Sequence, residues 1–155
     1  MLEIRPNDVL KCRTIWISDV HLGSKYCSAK QLLEFLDRIE FDQLYLVGDI
    51  VDLLAMRRRV HWPTAHNRVI SRFMKLARRK RSSVIYIPGN HDFAFRSLVR
   101  NELGKIAVHR NCVHETVDGK KMLVTHGDEW DYAVRFSKLN RVVGDVAYTL
   151  MMWSS

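Results

Sequence analysis

Four short β-branched and aromatic runs in this chain each end on residues able to bind a metal ion. "TIWIS" (Thr14 to Ser18) runs into Asp19 and His21, and "QLYLV" (Gln43 to Val47) runs into Asp49 and Asp52. "SVIYI" (Ser83 to Ile87) turns on Pro88-Gly89 and presents Asn90, His91 and Asp92, while "KKMLVT" leads to His126 and Asp128. Such runs read as buried strands. Between the first two, "AKQLLEFLDRIE" (Ala29 to Glu40) places Leu32, Leu33, Phe35, Leu36 and Ile39 at helical spacing, with Ser28 as N-cap. A longer helix from about Thr64 carries Val69, Ile70, Phe73, Met74 and Leu76 on one face. A short helix is expected around Phe95 to Leu103, then a stop at Gly104 and a strand at Ile106 to Val108. Alternation of strand and helix gives βαβ units, and so a parallel sheet covered by helices. The carboxyl ends of such strands share one rim, where ligands bind.

Singly, each cluster is weak: Asn and Asp favour turns because their side chains bond nearby backbone. Four clusters at four strand ends each carry an aspartate, a pattern that His61, His66, His109 and His114 do not match. Carboxylate, imidazole and amide-carbonyl donors without thiolate suit Mn²⁺, Fe²⁺, Mg²⁺ or Zn²⁺, not a cysteine-rich structural zinc site. A carboxylate can bridge two such ions, and a pair of ions clamps both oxygens of an in-line phosphoryl displacement. Metal-assisted phosphoester hydrolysis is the reaction class that uses all four clusters.

"DVH", "GDIVD", "GNHD" and "HGD", in this order and after strands, resemble the signature of calcineurin-like metallophosphoesterases, from Asp19 to Asp128. The resemblance implies a metallophosphoesterase-type β-sandwich flanked by helices (αββα), with a domain over residues 1–130 and the start of a helical cap insertion over 131–155. It implies two divalent ions, Mn²⁺ being the first choice. Asp19 and His21 would hold the first, Asp49 would bridge both, and Asn90 and His126 would hold the second. His91 would face the scissile phosphate as general acid or stabiliser of charge, and Asp92 would orient it. "WISDVHLGS", "LYLVGDIVDLL", "YIPGNHDF" and "VTHGDEWD" are most similar to the branch of UDP-2,3-diacylglucosamine hydrolases, which yield UMP and an acylated sugar 1-phosphate during lipid A synthesis. The best-known members of that branch tend to carry Arg where this chain has His91. The family also closes its site with a downstream Gly-His-x-His motif, and Gly127 to Ser155 contain no histidine. The expectation is therefore a truncated chain lacking the C-terminal part of its second sheet, or a site completed by a second copy.

A formal net charge of +8 calls for an anionic partner. Arg57, Arg58 and Arg59, just past "GDIVDLLAM", are candidates to clamp substrate phosphates, whereas Arg78 to Arg81 complete a helix end on the far side of the sheet. The substrate expected is a phosphorylated small molecule or a lipid-linked nucleotide sugar. A soluble nucleotide-like substrate and a non-catalytic interaction module are the alternatives. Nucleic acid is not expected, since no aromatic platform or recognition helix accompanies the basic runs. Cys12, Cys27 and Cys112 lack CxxC spacing and read as reduced, mostly buried thiols. With no signal peptide and no run of ~18 apolar residues, the expected place is the cytoplasm. The apolar stripe of Tyr132 to Trp153 offers self-association or peripheral contact with the inner membrane.

Overall fold

The computed structural model describes residues 9–130. Its main sheet has the order β1-β2-β3-β5-β4. β1 (Leu10–Ile17), β2 (Ile39–Val47), β3 (Ser83–Ile87) and β5 (Ile106–Val108) run parallel, and β4 (Glu102–Leu103) lies antiparallel at the edge. Helix α1 (Ala29–Asp37) joins β1 to β2; α2 (Leu53–Arg58) and α3 (Thr64–Ala77) join β2 to β3. A second sheet, β6 (Cys112–Glu115) paired with β7 (Lys121–Val124), is a hairpin closed by Asp118-Gly119. This is the mixed α/β architecture, a mostly parallel sheet flanked by helices, that the sequence resemblance implies.

The period of two along each strand decides which layer a side chain joins. Leu44 and Leu46 of β2 and Val84 and Tyr86 of β3 face the helices, meeting Leu33 and Leu36 of α1 and Val69, Phe73 and Leu76 of α3. The alternate residues Tyr45, Val47, Ile85 and Ile87 face the hairpin and pack with Val124. Each aliphatic side chain so buried contributes about 1.5–3 kcal/mol. The hairpin layer is also fixed by a polar contact: buried His114 pairs its Nδ1 with the Tyr45 hydroxyl at 3.2 Å, and Trp16 stacks on Tyr45 at 5.9 Å between centroids.

The structure revises several boundaries. β1 starts at Leu10, since register with Ile39–Phe41 recruits residues whose own sequence, "LKCR", has no strand pattern. Its edge position lets Lys11 and Arg13 point to solvent. α1 stops at Asp37, and Ile39, which lies at helical spacing from Leu36, pairs in β2 instead. The helix expected at Phe95 to Leu103 is a 3₁₀ segment over Phe93–Leu98, with Glu102–Leu103 drawn into the sheet. The cysteines are free, but Cys12 is exposed and Cys27 and Cys112 are only half-buried. The expected cap insertion and the stripe of Tyr132 to Trp153 lie outside the described residues. Among the described residues no helix is long and apolar enough to cross a membrane.

Candidate metal centre

Three parallel strands and β7 end on one rim, and the loops there are pinned to each other by backbone. Asp19 N–H donates to Gly48 C=O at 3.2 Å, His21 N–H to Asp49 C=O at 2.8 Å, and Gly48 N–H to Ile87 C=O at 2.7 Å. Among the described residues only four other than glycine take left-handed φ: Asp19 (56°), His21 (53°), Asp49 (54°) and Arg100 (70°). Three of the four are expected metal ligands. Left-handed backbone costs about 1–2 kcal/mol for a residue with a Cβ, and such strain persists at functional sites when the surroundings hold it.

Asp49, 4% exposed, is the centre of the cluster. Its Oδ2 lies 3.9 Å from His21 Nε2 and 4.0 Å from His91 Nε2, whereas its Oδ1 lies 3.6 Å from His126 Nε2. His126 Nε2 is also 3.2 Å from Asn90 Oδ1. Donor atoms of His21, Asp49 and His91 fall within 4.8 Å of one another. Two glycines make room for this arrangement. A Cβ on Gly48, which has φ of +69°, would fall inside the His126 ring, and a Cβ on Gly89 would strike both the Asp49 carboxylate and that ring. Mixed carboxylate, imidazole and amide donors in a glycine-cleared cradle fit divalent cations.

The structure brings His21, Asp49, Asn90, His91 and His126 together. Asp19 stands at the same strand exit, but its exposed carboxylate has no hydrogen bond or ion pair among the described residues and lies outside the cluster. Asp92 does not orient His91. It is fully buried and accepts from Ile50 N–H (2.8 Å), Val51 N–H (3.3 Å), Gly89 N–H (2.6 Å) and the Tyr86 hydroxyl (2.5 Å), so it fastens the β2 exit to the β3 exit. Burial, then the charge and bond of Asp92, push the Tyr86 phenol far above its ordinary range.

The carboxylate that holds His91 is Asp52. Its Oδ1 meets His91 Nδ1 at 2.9 Å and its Oδ2 meets His21 Nδ1 at 3.1 Å, and the two rings pack edge to face at 4.8 Å. Asp52 also caps α2 by accepting from Ala55 N–H at 2.7 Å. Burial alone would lower the His91 pKa, but the Asp52 bond and the charges of Asp49, Asp52 and Asp92 outweigh it and raise the pKa. For Asp52, burial would raise the carboxyl, and the bonds from His91 and Ala55 N–H bring it below its usual value. "GDIVD" marks Asp52 as a strand-exit acid, yet no sequence rule links it to a histidine 39 positions on.

Arg57 sits in the last turn of α2 with its guanidinium 5.5 Å from the Phe93 ring, beside the loop that carries His91. Arg58 and Arg59 are exposed and have no ion pair among the described residues. Asp128 is held by Arg96 at 2.6 Å, which anchors the loop after His126 to the 3₁₀ segment.

Comparison with known proteins agrees with this geometry. The family model of the calcineurin-like phosphoesterases matches residues 12–153. A UDP-2,3-diacylglucosamine hydrolase of Blochmanniella pennsylvanica (strain BPEN) is 29% identical over 117 residues, which cover 74% of this chain and 46% of that relative. The match therefore spans about half the length of the relative. With a family model that takes in the whole rim, this chain belongs to the calcineurin-like phosphoesterases.

Proposed function

We propose that the rim is the active site of a dinuclear metal hydrolase, and that its substrate is a UDP-linked diacyl sugar cleaved at the pyrophosphate to UMP and an acylated sugar 1-phosphate. One observation carries the two-cation reading: the two oxygens of Asp49 face in different directions, Oδ2 toward His21 Nε2 and Oδ1 toward His126 Nε2, with Asn90 Oδ1 beside His126. Asp19 joins His21 at the first position by turning its exposed carboxylate inward. Bound there, two divalent cations, Mn²⁺ by preference, supply Lewis-acid activation of the phosphoryl group and of water.

The chain's own residues do the rest. Asp52 holds His91 by Nδ1, which leaves Nε2 to donate to a phosphoryl or leaving oxygen. The same carboxylate holds His21 by Nδ1 and leaves Nε2 for metal. Arg57, Arg58 and Arg59 neutralise the second phosphate. The substrate reading is supported by the name of the relative and by the net positive charge. Self-association and peripheral membrane contact would rest on residues 132–153.

The test is incubation of the Mn²⁺-loaded 155-residue chain with UDP-2,3-diacylglucosamine and, separately, with bis(p-nitrophenyl) phosphate, following UMP and nitrophenol. UMP release that is lost in His91→Ala is the expected result. Cleavage of the generic diester alone would transfer the activity to a soluble nucleotide-like substrate. An inert chain would leave a metal-binding or interaction module.

A further inference from the structure

A cleft of about 530 Å³ opens directly beside the metal rim, between the loop after β1 and the first turns of α1. Asp19, His21 and Asp52 belong to its lining, so the cleft adjoins the rim and lies within reach of the ester substituent of a phosphate seated there. We infer that the cleft holds the nucleoside of a nucleotide substrate. This inference rests on the phosphoester reading above and adds the subsite that selects the substituent.

Tyr26 stands at the cleft, 82% exposed, with Lys25 Nζ 4.8 Å from the centroid of its ring. It has no aromatic partner among the described residues. A ring this exposed contributes nothing to the core, and an exposed aromatic with a cation beside it is the platform on which bases stack. The polar groups beyond it are uncommitted. Ser28 occupies the N-cap position of α1 without capping any amide through its hydroxyl. Gln31, one turn further, has no hydrogen-bond partner for its amide among the described residues. A primary amide both donates and accepts, which matches the alternating N–H and carbonyl edge of a pyrimidine, while serine hydroxyls suit ribose. The volume falls in the range of small-ligand sites. An acyl chain would leave these groups without partners.

The closing experiment is amide-resolved NMR on the full 155-residue chain, titrated with uridine, with UMP, and with ribose 5-phosphate as a base-free comparator. Uridine and UMP are expected to shift resonances of Ser24 to Leu32, whereas ribose 5-phosphate shifts only those of the rim around Asp49 and Asn90. Tyr26→Ala is expected to weaken uridine about fivefold or more, in line with the loss of one base stack, and Gln31→Ala is expected to weaken it as well. Tyr26 is peripheral, so the variant retains the fold, and an unchanged thermal unfolding curve checks this. Uridine that shifts no resonance of Ser24 to Leu32, or that binds Tyr26→Ala as tightly as the wild type, overturns the inference. Diester cleavage, measured on the same preparation, reads the parent proposal independently. A chain that binds uridine but cleaves nothing sinks the hydrolase and keeps the cleft, and one that cleaves the diester but ignores uridine does the reverse.

Discussion

Asp49 presents its carboxylate oxygens in two directions, Oδ2 toward His21 and His91 and Oδ1 toward His126, from a backbone of left-handed φ, and Gly48 and Gly89 leave the room for that arrangement. Residue-scale predictions follow from how little slack that leaves. Gly48→Ala places a methyl where the His126 ring lies, so the ring must move away from Asp49 Oδ1. Mn²⁺ counted after removal of excess should fall from two ions per chain to one, while β-sheet circular dichroism persists. Asp52→Asn is a cleaner test of positioning, because asparagine still caps α2. Asparagine Oδ1 still accepts from Ala55 N–H and meets His91, but its amide nitrogen replaces the oxygen that His21 Nδ1 meets. His21 therefore loses its acceptor and His91 loses the neighbouring charge, and Mn²⁺ affinity or diester turnover should drop about 10–100-fold. Isothermal titration separates the two. Asp49, Asn90, His91 and His126 are legible in the sequence because each follows a strand end. Asp52 is visible there only as an acid, and its role depends on loops that tertiary packing brings together.

At the scale of elements, the loop after β1 is clamped to α3 by a single neutral imidazole. Gly23 N–H donates to His66 Nδ1 at 3.1 Å, and His66 is buried against the rings of Trp62 and His61. Burial, followed by the nearby His61 charge, holds the His66 pKa below its ordinary value. The unfolded chain then binds the extra proton more readily, so this contribution is whole above pH ~6.5 and is lost as pH falls below it. Acid should lower the melting temperature of the wild type more than that of His66→Asn, which keeps an acceptor and does not titrate. Asp92 plays a similar part between β2 and β3. Asp92→Asn turns an amide donor toward groups that already donate and should cost about 3 kcal/mol in urea unfolding. These fastenings were not readable in advance. His66 follows no strand, and its value comes from a glycine 43 positions away. Six-residue α2 was likewise hidden, since one and a half turns carry too little period to detect.

For the whole molecule, the rim is the least relaxed part of the structure, and a ligand that binds only the folded state should stabilise all of it. A cation at a hundred times its dissociation constant adds ~2.7 kcal/mol, equivalent to about 5–10 °C in melting temperature for a chain of this size. Excess EDTA should reverse the shift, and a melting temperature indifferent to Mn²⁺ would count against the metal centre. The sequence by itself determined the strand cores of β2 and β3, the placement of α3, the parallel α/β class and the edge where polar residues collect. Hydrophobic period and strand-end composition are local properties that survive in one dimension. Only the tertiary structure decided that Ile39 leaves the helix for β2, that Asp52 rather than Asp92 holds His91, and that Asp19 stands apart from the cluster. Each of these depends on register and loop docking across tens of residues, where the energy resides in contacts that no local pattern encodes.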